Sequence, residues 1–412
     1  MKKILTLLLA LWMLTGCVAM AAENQLVVGS TTAMSGAFFT DLFGSNTADI
    51  DVRALLHGYN LMSWDNETGT YQINDSVVAG MAVSRDAQNN RVYTFDLYGD
   101  LKFSDGSAIT AKDYAFSILL TASPELAKLG GQSAAVGAIL GMDAYQSGKS
   151  SVLRGVRLLS DTQMSITISK AYEPYFYEMA LFDYSPYPIS VLAPGCKVVD
   201  TEKGVGIVNA SGTGDALFTA GLLQKTILDA ATGYMSHPSV VSGPYTLTSY
   251  DAQSGTASFA INPYYKGNED GEKPTIETIV YRTVANDEAI DLLLSGEVDL
   301  LNKMVAADTI SKGIQSTANQ PFSVANYPRS GLSMISFSCE RQTVSGKAVR
   351  QAIASCFDRD ALVKAYTGNF GLKANGYFGI GQWMYQVISG AVAAPVTVDE
   401  NGKEWIEGKY DY

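Results

Sequence analysis

Histidine is almost absent from this 412-residue chain: only His57 and His237 occur, far apart in sequence. That leaves little material for a multi-histidine metal centre or a zinc-protease helix, both of which need clustered imidazoles. Positive charge is also in deficit, with 29 Lys and Arg against 41 Asp and Glu and a formal net charge of −12. Such a chain has no electrostatic basis for holding nucleic acid or an anionic lipid surface, so no nucleic-acid partner is expected. No Gly-x-Ser-x-Gly elbow is present, which weakens an exported serine hydrolase, the rival class of function. Its triad would have to recruit His57 or His237. Gly212-Thr213-Gly214 lacks the downstream glycine and preceding strand of a nucleotide loop. No catalytic residue, metal or cofactor is expected.

Cysteine is scarce too. Of the four, Cys17 closes an amino-terminal apolar segment, and Cys196, Cys339 and Cys356 are an odd number, so at most one disulfide can form among them. Cys339 with Cys356 is geometrically feasible if a strand packs on the helix after it; free, buried thiols fit equally. The apolar run from Ile4 to Leu14 is too short to span a membrane. Behind Lys2 and Lys3, and ahead of Thr15-Gly16-Cys17, it has the zones of a secretory signal over residues 1–22. Leu14-Thr15-Gly16-Cys17 resembles a lipobox, with Cys17 as the lipidated residue; cleavage after Ala19-Met20-Ala21 is the alternative. Either way the protein is expected to be exported, to the cell surface or periplasm, with a lipid anchor to the membrane in the first case.

The most informative stretch runs from Tyr93 to Leu120. Phe95, Leu97, Leu101 and Phe103 alternate with polar neighbours at strand period, and Asp105-Gly106 supplies a turn. Thr110 and Asp113 then form a capping-box start for a helix carrying Tyr114, Ile118 and Leu119. Further along, Gly243-Pro244-Tyr245 precedes two strands and the breaker-rich exit Asn262-Pro263-Tyr264-Tyr265-Lys266-Gly267. Gly296-Glu297-Val298-Asp299 follows a helix. Leu332 to Ser338 is an apolar strand, and Val349 to Ile353 and Phe357 to Leu362 fall on two consecutive helices. Glu297 and Asp299 fit hydrogen-bonded structure better than acid–base chemistry, Arg350 and Arg359 fit surface pairing with Asp358 and Asp360, and His57 fits a packed or capping histidine.

Lys102 to Tyr114 resembles the signature of the extracellular solute-binding proteins of family 5, the peptide-binding subunits of bacterial ABC importers, and the other three motifs follow in that family's order. The resemblance implies an α/β, periplasmic-binding-protein-like fold (type II, cluster C) of three lobes, with the ligand cleft between lobes one and three. It places residues 23–54 and 188–272 in lobe one, 55–187 in an inserted lobe two and 273–412 in lobe three. Family members usually continue further, so lobe three is expected to be incomplete, and the family's acidic anchor for a peptide amino terminus has no counterpart to assign. A monomer is implied that captures di- to oligopeptides and hands them to the permease subunits; nickel chelates, haem or sugars are the family's other cargoes. Since ligand meets the loop after the first strand, Ser30, Thr31, Thr32, Met34 and Ser35 are the implied lining, with Phe38 and Phe39 beside them. A loop that covers a hydrophobic core is the alternative there. Trp383 and Tyr385, in the glycine-rich stretch from Asn375, are candidates for a pocket wall.

Overall fold

The computed structural model describes residues 24–65, 70–132, 137–173, 178–318, 320–327, 331–368, 370–374, 376–379, 381–382, 384–385, 390, 396–398 and 404–406. Cys17, the lipobox and Trp383 lie outside them.

The first strand, β1 (Gln25–Ser30), has apolar residues facing both ways, as a strand covered on both faces requires. Val28 packs with Phe38, Val52, Leu56, Phe259 and Tyr281 on one side. Val27 faces the cluster of Val284, Ala289 and Val298 on the other. Helix α1 (Thr47–Leu56) supplies the first cover. Asn46 caps it, accepting from the Ala48 and Asp49 amides while Asp49 reaches back to the Asn46 amide, so the orphan donors of the first turn are satisfied.

Lobe two contains a four-stranded antiparallel sheet in the order β4 (Val78–Arg85), β5 (Arg91–Leu97), β8 (Gln163–Ile168), β7 (Val156–Leu158), preceded by the hairpin of β2 (Met62–Asp65) and β3 (Thr70–Ile73). Against it lies α2 (Ala111–Thr121), whose capping box is the Thr110–Asp113 pair expected from the sequence and whose residues from Tyr114 to Leu120 are all buried. A three-stranded sheet in the order β6 (Val152–Leu153), β10 (Gly204–Asn209), β9 (Cys196–Thr201) joins the same core, which continues through Leu192, Val198, Val205, Leu223 and Tyr234.

Buried residues between 188 and 235 share one core with those of residues 55–187 and with Phe39 and Leu42. A five-stranded sheet runs β11 (Tyr245–Asp251), β12 (Thr256–Ile261), β13 (Thr278–Thr283), β1, β14 (Leu300–Asn302), with β13, β1 and β14 parallel. A parallel strand needs a crossover, and α3 (Ala289–Ser295) is the one between β13 and β14. Asp299 is structural there: its carboxylate accepts from the Val27 amide at 2.7 Å.

Two of the four family-like motifs meet. The Ser104 amide donates to the Val241 carbonyl at 2.8 Å, and the Val241 amide returns to Ser104 Oγ at 3.0 Å. Lys266 donates its amide to Tyr59 Oη at 2.6 Å, pairs its ammonium with Asp100 at 2.8 Å and covers the Tyr98 ring at 4.7 Å. Tyr59 stacks on Tyr265 with ring centroids 5.1 Å apart. Gly243 admits the end of α1: a β-carbon there would lie 2.5 Å from the Leu56 carbonyl carbon.

Beyond β14, α4 (Ala307–Thr317) packs on α3, with Lys312 paired to Asp291 at 2.9 Å. Helices α5 (Lys347–Ser355) and α6 (Arg359–Thr367) form where expected, the second capped by Asp358. Leu332 to Ser338 is not a strand. No described strand lies beside it to complete a ladder, and Met334 and Ile335 are 56% and 58% exposed. Cys339 and Cys356 are free, exposed thiols rather than a disulfide, while Cys196 is free and buried. Arg350 donates to the carbonyls of Val344 and Ser345, with no ion pair to the neighbouring aspartates among the described residues, and Arg359 donates to the Ala374 carbonyl; Asp360 pairs with Lys373.

Candidate ligand-binding loop at the carboxyl ends of the parallel strands

In sheets with parallel strands, ligands bind outside the carboxyl ends. Here those ends are Ser30, Thr283 and Asn302, and residues 31–46 loop over them from β1 to α1. Ser30 is buried, and its Oγ accepts from the Thr32 amide at 3.2 Å. Thr31 and Thr32 are half-buried and Ser35 is exposed. Met34 is buried in the core of lobe one. The two phenylalanines are corrected from lining to anchoring residues: Phe38, fully buried, belongs to the core of lobe one, and Phe39, 2% exposed, to that of lobe two. Tyr385 is half-buried and donates its amide to the Gln382 carbonyl; no hydrogen bond or ring contact joins it to residues 30–39 among the described residues.

Four side chains outside the expected set hold the loop. Asn46 Nδ2 donates to the Ala33 carbonyl at 2.8 Å. Asp49, fully buried, accepts from the Ser35 amide at 2.8 Å and from Ser35 Oγ at 2.7 Å. Arg53 Nη1 donates to the Ala37 carbonyl at 2.7 Å, and His57 Nε2 to the Phe38 carbonyl at 2.9 Å. The Phe38 amide is used as well, donating to the Met235 carbonyl. What remains is a run of backbone groups without partners among the described residues: the N–H groups of Ala33, Met34, Gly36 and Ala37, and the carbonyls of Met34, Ser35 and Gly36. Gly36 turns the chain at φ +86°, a left-handed conformation that a side chain would disfavour. A shallow depression of about 320 Å³ opens beside it, lined in part by Phe43, Leu228 and Met235.

Beneath the loop, Asp51 accepts from Tyr281 Oη at 2.9 Å, from Asn302 Nδ2 at 2.8 Å and from Lys303 Nζ. Lys303, the residue after β14, has φ +54°, so the chain leaves the sheet in a conformation uncommon outside glycine. His57 sits among Phe39, Tyr187 and Tyr234. Burial of its ring, with the Arg53 charge adding to it, holds its pKa down at about 4, so it is neutral at pH 7 and its Nε2 carries the proton given to Phe38. Ser236 Oγ lies 2.9 Å from Nδ1 of His237, its sequence neighbour.

Asn46, three residues before Asp49 and ahead of an apolar period, is a capping-box signal legible in sequence, and Arg53 and His57 then follow at fourfold spacing. Asp51 with Lys303 carried no such signal, because the sheet brings together residues 252 apart.

The model of the bacterial extracellular solute-binding proteins, family 5 (middle), matches residues 76–406. The chain belongs to this family. The oligopeptide-binding protein OppA of Lactococcus lactis subsp. lactis (strain IL1403) is 27% identical over 233 residues, 56% of this chain and 32% of that protein. A probable D,D-dipeptide-binding periplasmic protein, DdpA of Escherichia coli (strain K12), is 21% identical over 324 residues, 78% of this chain and 51% of that protein. The chain thus spans about a third to a half of the length of these family-5 relatives. Among solved structures, lactococcal OppA complexed with an endogenous peptide in the closed conformation has a TM-score of 0.59 at 17% identity, covering 92% of this chain and 70% of that one. NikZ from Campylobacter jejuni in complex with Ni(L-His) has 0.56 at 15%, covering 94% and 66%. At these identities the likeness establishes the family-5 fold: α/β and periplasmic-binding-protein-like.

Proposed function

We propose that this chain is the substrate-binding component of an ABC importer, capturing peptides outside the membrane and delivering them to the permease. The observation that carries this is the loop over the carboxyl ends of β13, β1 and β14. It is fixed from one side and has a run of backbone donors and acceptors without partners among the described residues. Unpaired backbone groups beside buried residues need partners, and an extended peptide supplies them in alternation, whatever its side chains. Ser30, Thr31, Thr32 and Ser35 are the proposed lining, with Met34, Phe38 and Phe39 anchoring it from the cores. Trp383 and Tyr385 remain the proposed far wall. The names of the relatives, oligopeptide-binding and dipeptide-binding, favour the same cargo. We read the protein as a monomer exported by its amino-terminal segment and lipid-anchored at Cys17.

Native mass spectrometry of the protein from its own host tests this reading. A ladder of co-purifying short peptides is the expected outcome. A protein that carries none, and retains none from an equimolar mixture of random tri- to pentapeptides, overturns it. The intact mass reports the anchor: a diacylglyceryl addition at Cys17 is expected, and an unmodified amino terminus downstream of it removes that part.

A further inference from the structure

The side chains that hold the loop and the groups they hold come in the same order. Asn46, Asp49, Arg53 and His57 recur at three- and fourfold spacing and so lie on one line of α1 and its cap. Their acceptors and donors are Ala33, Ser35, Ala37 and Phe38, in the same direction. The loop segment, bent at Gly36, and the helix run side by side with their bonds in the same order.

We propose that Asp49, Arg53 and His57 are positioning residues for peptide binding, a ladder that decides which backbone groups of residues 33–38 are offered to ligand. The proposal rests on the reading that this loop meets the peptide. A loop that only covered a core would be held by Met34 and Phe38 alone. The ladder adds a fully buried carboxylate and a guanidinium, groups costly to desolvate, each aimed at loop polar groups. Together with the Asn46 cap it takes up the carbonyls of Ala33, Ala37 and Phe38 and the amide and hydroxyl of Ser35. The groups left over form the free run. Position and selection are set by the same side chains.

The test uses the full chain and two readouts, hydrogen exchange of residues 33–38 and retention of an equimolar random tri- to pentapeptide mixture followed by native mass spectrometry. Arg53→Met keeps the aliphatic stem and removes the donor; Arg53→Lys restores a cation. The methionine variant is expected to raise exchange at residues 33–38 at least tenfold while leaving β5 unchanged, and to weaken peptide retention at least fivefold through faster release, with partial recovery in the lysine variant. Unchanged exchange overturns the ladder and leaves peptide capture standing. Faster exchange with undiminished retention overturns the role of this loop in binding, and with it the placement of ligand proposed above. If Arg53→Met does not fold, His57→Phe, which keeps a ring and removes the donor to the Phe38 carbonyl, is read in the same two ways.

Discussion

At the scale of single residues, two buried titrations oppose each other. Burial lowers the His57 pKa from 6.5 to about 4, so the unfolded chain binds the extra proton first, and stability falls as pH drops from 6.5 toward 4. Burial raises Asp113 from 3.8 to about 6, against its bonds from Thr110, so its contribution is full below 3.8 and is lost as pH rises through 6. Between 4 and 6 the two slopes, each at most about 1.4 kcal/mol per pH unit, largely cancel. His57→Gln, which keeps a donor for Phe38, removes one of them. Urea midpoints at pH 4.5, 5.5 and 6.5 should show the variant gaining on the parent as pH falls; a constant difference would mean that His57 is not held neutral. Lys303 offers a second test. Its left-handed backbone costs about 1 kcal/mol, and its half-exposed pairing with Asp51 returns no more than about that. Lys303→Gly should therefore be close to neutral, and Lys303→Ala destabilising by about 1 kcal/mol, in equilibrium unfolding.

At the scale of elements, local chemistry wrote what could be read. The Thr110–Asp113 box, the Asp358 cap and the Gly296 stop are each fixed by neighbours in sequence, and the helices they bound stand where expected. Leu332 to Ser338 has a strand's composition but depends on a partner for its hydrogen bonds, and no local pattern reveals whether one is present. Phe38 and Phe39 show the same limit inside the candidate site. Their aromatic density was visible, but the face each ring takes is set by Val52 and Tyr234, distant in sequence. Gly243 is legible as a turn and illegible as a contact, because the obstruction is the backbone of Leu56. Gly243→Ala should cost about 1–3 kcal/mol by forcing α1 away; a loss below about 0.5 kcal/mol would mean that α1 shifts freely.

For the molecule as a whole, order is unevenly distributed. Residues 39–234 contribute to one continuous core, whereas α5 and α6 contain no buried residue, and Tyr327, Tyr366 and Tyr377 are 61%, 73% and 80% exposed. Regions with few buried apolar contacts open first. Brief trypsin treatment of the isolated chain should cut at Arg341 or Lys347 well before any site from Arg91 to Lys128, as peptide mapping would report; equal rates would place hidden support under the third segment. Prolines at 186, 188 and 194 punctuate the chain, but β10 crosses back to pair with β6, so strands on either side of them share a sheet.

The clasp between Tyr98–Gly106 and Val241–Gly267 has a bearing on inheritance. Two of the motifs that carry the family resemblance make this joint, while the residues proposed to touch ligand lie on a separate loop, braced by a separate helix. Substitutions in the loop therefore leave those motifs untouched, since the two are carried by different parts of the frame.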